Sequence, residues 1–220
     1  MTTSILETTE RTRLRRLHRR GAFDRATIDA ILDATPLAHV AYVLDGKPVV
    51  TPTLLWRDGD RVYWHGSSAS RALRTSAGAE VCVTVALLDG LVLARSAFHH
   101  SANFRSVMLF GEATAVTERA AKLAALEAFV ERLYPGRWAE LRPMTEAEFK
   151  ATTVLSLAIH EGSAKVRTGG PVDDEEDYAL PIWAGVVPLE RRYGAPEPDP
   201  RNLPGVAAPA YLDALDERGA

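Results

Sequence analysis

Three Asp-Gly pairs, Asp45-Gly46, Asp58-Gly59 and Asp89-Gly90, each stand between two runs of β-prone residues. A tight two-residue turn needs positive φ at its centre, which Asp tolerates and Gly adopts freely, and it leaves no room for a crossover helix. The strands on either side must then run antiparallel. Ala38–Leu44, Val49–Trp56 and Arg61–His65 follow one another around the first two turns, with Val62 and Trp64 on one face and Tyr63 on the other. Glu80–Leu87 and Leu91–Phe98 flank the third turn, and the β-branched run Val81 to Val85 suits a sheet buried on at least one side. Further strands are expected over Arg105–Val116, with Gly111 a bulge or close-approach point, and over Trp183–Leu189. Thr152–His160 and Ala164–Thr168 read as a pair around Gly162. Seven or eight short strands joined by tight turns predict a closed or nearly closed antiparallel barrel. The regular strand–helix alternation of a parallel sheet is missing.

Helices fill the gaps. Asp24 caps a first one whose Ile28, Ile31 and Leu32 make one apolar stripe, stopped by Pro36. Ser68–Thr75 reads as a short helix capped by Ser67. Glu118–Leu133 carries Leu123, Leu126, Val130 and Leu133 on an inner face and Lys122 and Glu131 on an outer one. Thr145 and Glu148 have capping-box spacing. The fold class is mainly β with flanking helices. Residues 1–20 form an arginine-rich arm, 21–192 the barrel domain, and 193–220 a proline-rich tail.

Charge and composition remove several function classes. The 26 Lys and Arg against 29 Asp and Glu leave a net charge of −3, without the basic excess of a nucleic-acid binder. Arg11, Arg13, Arg15, Arg16, Arg19 and Arg20 crowd the arm, but no aromatics interleave them, so a solvated or partner-draped arm is the expectation. A single cysteine, Cys82, excludes an intrachain disulfide framework and a multi-cysteine zinc site. No apolar run reaches the ~20 residues of a membrane helix, and no signal-peptide core opens the chain; a cytoplasmic protein without a membrane partner is expected. The five acidic residues from Asp173 to Asp177 read as a solvated loop. Dinucleotide, phosphate-loop, zinc-protease and serine-hydrolase signatures are absent; His160-Glu161 begins a zinc motif that Ala164 breaks.

Two polar clusters remain. In Tyr63-Trp64-His65-Gly66-Ser67-Ser68-Ala69-Ser70-Arg71 an aromatic strand ends in glycine and small hydroxyl residues, and an arginine opens a helix. Serine hydroxyls, backbone N–H groups and a guanidinium can converge there on a phosphate, although serines in such places often serve only as caps. In His99-His100-Ser101-Ala102-Asn103-Phe104-Arg105-Ser106 the adjacent histidines point apart, so they do not share a metal. Asn103 and Arg105 project to one face, where Arg105 can bring a second guanidinium to the anion.

The order of Pro52-Thr53-Leu54-Leu55-Trp56, Asp58-Gly59, Val62 to Ser67 and Ser70-Arg71 resembles the pyridoxamine 5′-phosphate oxidase-like flavin-binding family. Leu88 to Ser96, His99 to Val107 and Asp174 to Val186 resemble its flavin-nucleotide-binding, nitroimidazole-resistance-like branch. The resemblance implies a split β-barrel homodimer with FMN in grooves at the subunit interface. By position it puts Ser70 and Arg71 on the phosphate, Pro52, Thr53 and Leu54 along the flavin ring, and His65, Gly66 and Ser67 at the strand end beside it. It brings Asn103 and Arg105 to the cofactor from the partner chain or a neighbouring strand, and Trp183 near the ring.

The oxidases themselves carry an Arg-x-His substrate motif after the C-terminal tryptophan. Here Trp183 is followed by Ala184-Gly185-Val186, so vitamin B6 oxidation is not expected. His65 replaces a small hydroxyl residue and is the candidate catalytic side chain. The leading reading is an FMN-dependent oxidoreductase that passes hydride from NAD(P)H to a small planar or nitroaromatic substrate. Two others stay open: a haem-binding or haem-handling barrel with His65, His99 or His100 on the iron, and a non-catalytic flavin carrier or sensor.

Overall fold

The computed structural model describes residues 4–218. Its elements run β1 (Gly21–Ala22), α1 (Arg25–Asp33), β2 (Leu37–Leu44), β3 (Lys47–Asp58), β4 (Arg61–Ser67), α2 (Arg71–Ser76) and β5 (Glu80–Leu93). The second half comprises β6 (Ser101–Glu112), β7 (Thr114–Ala115), α3 (Arg119–Leu133), α4 (Glu146–Ala151), β8 (Thr152–Ala158), β9 (Glu161–Arg167) and β10 (Gly185–Pro188). The strands lie in the order β1-β9-β6-β5-β2-β3-β4-β8-β7, with β10 added to β5. All pairs are antiparallel, and the architecture is a split β-barrel with flanking helices. Among the described residues no helix is long and apolar enough to cross a membrane.

The first Asp-Gly pair behaves as its chemistry requires. Asp45 and Gly46 both take positive φ, 51° and 73°, and set Leu44 opposite Lys47. That register carries Val40 opposite Thr51 and Ala38 opposite Thr53. β3 then changes partners, pairing with β2 up to Leu54 and with β4 from Leu55 onward. Leu55 and Trp56 are both buried, because consecutive residues point to opposite faces and each face is covered there. Leu55 joins the barrel core of Ile28, Ile31, Val83, Leu109 and Leu157. Trp56 joins a second cluster, with Leu126 and Val154, under α3.

Four local expectations are corrected. Asp89-Gly90 is not a turn: β5 runs through it, with a bulge that leaves Asp89 unpaired between Leu88 and Gly90. A Cβ on Gly90 would sit 2.9 Å from the Val187 carbonyl oxygen, so this glycine admits β10 alongside. β8 and β9 do not pair with each other; β8 joins β4 and β7, and β9 joins β6 and β1. α2 begins at Arg71 with Ser70, not Ser67, in the N-cap position. Lys122 is buried rather than outward on α3, since its ammonium donates to the Phe149 carbonyl at 2.7 Å and lies 4.0 Å from the Phe149 ring centre.

The arm is held against the barrel over part of its length. Leu6 and Thr12 are buried, and Arg11 pairs with Glu80 and Glu161 while covering the Phe110 ring. Far along the chain, the Tyr211 hydroxyl donates to Glu140 at 3.1 Å.

Candidate functional site

A groove of about 150 Å³ opens where β2, β3 and β4 meet α2. The hairpin register places Val40, Tyr42, Thr51 and Thr53 on one wall, with the Tyr42 and Thr51 hydroxyls 3.4 Å apart. Trp64, His65, Gly66 and Ser67 form a second wall at the end of β4, and Ser70, Ala72, Leu73 and Ser76 close it from α2. Hydroxyl groups thus ring an apolar floor.

Ser70 decides between the two roles open to a serine before a helix. It stands in the N-cap position, yet its side chain makes no capping hydrogen bond, and it faces the groove. The Ser67 hydroxyl instead accepts the Ala69 N–H at 3.2 Å. The Ser70 hydroxyl therefore caps nothing. Arg71 follows it, exposed and not itself part of the groove lining, and pairs with no carboxylate among the described residues.

His65 sits at the inner end. Its ring lies 4.7 Å from that of Phe129 and 5.7 Å from that of Trp56. Nδ1 is buried there without a hydrogen-bond partner, and burial pushes the imidazole below its ordinary pKa, so the ring is neutral. A buried lone pair among aromatic edges is less costly than a buried unsatisfied N–H. The ring packs with Trp56 and Phe129 under α3, on the face of β4 opposite Trp64, and His65 borders the groove from the strand end.

The structure does not bring every candidate together. Pro52 and Leu54 alternate with Thr53 and face away, so only their backbone runs beside the groove. Asn103 is buried and accepts from Arg167, and Arg105 forks onto Asp89; neither lines the groove within one chain. Trp183 is 68% exposed with its ring folded back over Gly185. Conversely, sequence reasoning missed Tyr42, Thr51 and Ser76. The Asp45-Gly46 turn carried the signal for the first two, because a two-residue loop fixes which residues share a face.

The family model described as pyridoxamine 5′-phosphate oxidase matches residues 24–166. Among solved structures, a flavocytochrome from Azotobacter vinelandii is 53% identical, with 94% of this chain and 96% of that chain covered and a TM-score of 0.91. An FAD and haem binding protein from Mycobacterium smegmatis is 42% identical over 90% of this chain and 97% of that one, with a TM-score of 0.86. A candidate 5-nitroimidazole antibiotic resistance protein from Bacteroides thetaiotaomicron shares the fold at 19% identity, over 66% of this chain and 86% of that one, with a TM-score of 0.55. No curated protein matches the sequence. With most of the barrel matched by the family model and two near-full-length relatives above 40% identity, this chain belongs to the pyridoxamine 5′-phosphate oxidase family.

Proposed function

We propose that this protein binds a flavin nucleotide and a haem and works as a redox protein. The observation that carries the flavin half is Ser70, whose hydroxyl leaves the helix uncapped and faces a groove that Ser67 also lines, with the exposed Arg71 next in sequence to reach a phosphate at its mouth. Those groups fit a phosphate: the two hydroxyls donate, and the guanidinium adds charge and a fork of N–H groups. Thr53 and the β3 backbone suit the polar edge of the ring, Trp64 and Leu73 suit its apolar face, and His65 and Gly66 border it at the end of β4. The relatives named a flavocytochrome and an FAD and haem binding protein support pairing the two cofactors, which the sequence left as alternatives. When bound, flavin and haem supply the electron transfer; the chain's own task is to hold and orient them and keep His65 neutral.

The finer reading keeps NAD(P)H as hydride donor and a small planar, for example nitroaromatic, acceptor, which suits a narrow groove walled by Tyr42 and Trp64. A second copy of the chain is the proposed partner. The outward face of β3-β2-β5 carries the row Val50, Ala41 and Cys82, one residue from each strand and none charged, with Val43, Leu37 and Leu54 exposed beside it, while Arg11 covers Phe110 at the β6 end. Such a face is the kind that a symmetric partner covers.

Titrating FMN and FAD into cofactor-free protein while following flavin fluorescence tests the reading, with NADH or NADPH then added to look for bleaching of the flavin band. Saturable binding by the wild type supports it, and failure to bind either flavin overturns the flavin half.

A further inference from the structure

Outside the groove the chain presents another histidine in the state that metal binding needs. His100 Nδ1 lies 2.9 Å from the Ser96 carbonyl oxygen, which only accepts, so Nδ1 carries the proton. Nε2 is left with its lone pair on an exposed ring that is already oriented. A backbone carbonyl on the far nitrogen is what fixes tautomer and raises basicity in metal-bound imidazoles. The other two candidates are arranged differently. His99 Nε2 lies 3.3 Å from Asp174, and the His65 ring is packed between Trp56 and Phe129 with Nδ1 buried.

The surroundings of His100 are those of a flat apolar ligand. Phe98, two residues earlier, is 86% exposed. Ser101, the next residue, pairs with Val92, and the neighbouring Leu93 pairs with Gly185, on which the exposed Trp183 ring rests. Leu91 and Ile182 add exposed apolar surface at the same end of the sheet. Large exposed rings beside an oriented imidazole are costly in water and suited to covering a porphyrin face.

We propose that His100 is the axial iron ligand of the haem, with Phe98 and Trp183 against the macrocycle, at a site separate from the flavin groove. This rests on the haem half of the function proposed above. It also gives Trp183 a partner other than the flavin ring.

Haemin is titrated into the full-length wild type and into His65→Ala, His99→Ala and His100→Ala, following the Soret band and the electron paramagnetic resonance of the iron. The wild type is expected to give a histidine-ligated spectrum. His100→Ala is expected to lose that signature and to bind haemin at least about tenfold more weakly, with added imidazole restoring the spectrum and flavin affinity unchanged. His65→Ala and His99→Ala are expected to keep it. A wild-type spectrum in His100→Ala, or loss of the signature in another histidine variant instead, overturns the assignment. A wild type that gives no Soret shift removes the haem half of the function and this ligand with it, while flavin binding stands or falls separately.

Discussion

Arg105 forks onto Asp89, Nε to Oδ2 at 3.0 Å and the terminal nitrogen to Oδ1 at 2.8 Å, across the bulge in β5. Asp89 is the residue that the bulge leaves unpaired, and the guanidinium one strand away on β6 holds it. This ion pair occupies Arg105 and, together with β10 arriving beside Gly90, holds the bulged strand extended.

Removing that pair is expected to be mild. The Arg105 side chain is 40% exposed, and solvent screening limits such pairs to about 1 kcal/mol or less. Arg105→Ala should lower the denaturation midpoint slightly and leave flavin affinity within about twofold, well under 1 kcal/mol. Flavin titration and chemical denaturation check this; a large loss of flavin affinity would return Arg105 to the cofactor.

Ser70 and Arg71 are expected to behave in the opposite way. Loss of a hydrogen bond to a charged phosphate costs ~1.5–3 kcal/mol, so Arg71→Ala should bind flavin roughly ten- to a hundredfold more weakly. Ser70→Ala should also weaken binding yet leave the cofactor-free protein as stable as before, because the hydroxyl caps nothing. A working cap would cost about 1 kcal/mol on replacement by alanine, which thermal melting of the cofactor-free variant would detect.

His65 makes stability depend on pH in a definite direction. Burial holds the folded imidazole below its ordinary value of 6.5, so the unfolded chain takes up the proton first as pH falls. Its contribution is whole above about pH 6.5 and is lost as pH drops through the folded value. His65→Leu should flatten the decline in urea midpoints of cofactor-free protein between about pH 8 and pH 5. Identical slopes in the two proteins would mean that His65 is not held neutral.

Gly90→Ala tests the approach of β10. The added methyl would meet the Val187 carbonyl oxygen at 2.9 Å and Pro188 Cα at 3.3 Å, both backbone atoms that cannot swing aside. The expected cost is ~1–3 kcal/mol, seen as faster amide exchange across β10. Unchanged protection there would show that the strand accommodates a side chain.

Val50→Glu places a charge at the exposed β3 end of the outer row. Sedimentation should find a dimer for the wild type and a monomer for the variant. A monomeric wild type would remove the second copy from the account.

The legible part of the fold is the part that local chemistry decides. Asp45-Gly46 fixes the β2–β3 register, and through it the groove wall of Val40, Tyr42, Thr51 and Thr53. Asp24 and the Thr145–Glu148 box cap helices as their spacing requires. What escaped is settled by distant partners. Asp89-Gly90 is chemically the same dipeptide as Asp45-Gly46, but Pro188 arrives opposite Gly90 and Arg105 holds Asp89, so the chain stays extended. β8 and β9 are neighbours in sequence that take partners from different parts of the barrel. Lys122 reads as an outer charge until Phe149 is seen to receive it. At the site, the serine cluster was legible as a polar edge and does line the groove, whereas the engagement of Asn103 with Arg167 depends on β6 meeting β9.

The most direct test is the visible spectrum of the protein purified from cells supplied with a haem precursor, followed by acid release of its cofactors. The account predicts a flavin band and a Soret band together, with a flavin nucleotide released. A colourless protein that takes up neither added flavin nor haemin would contradict it.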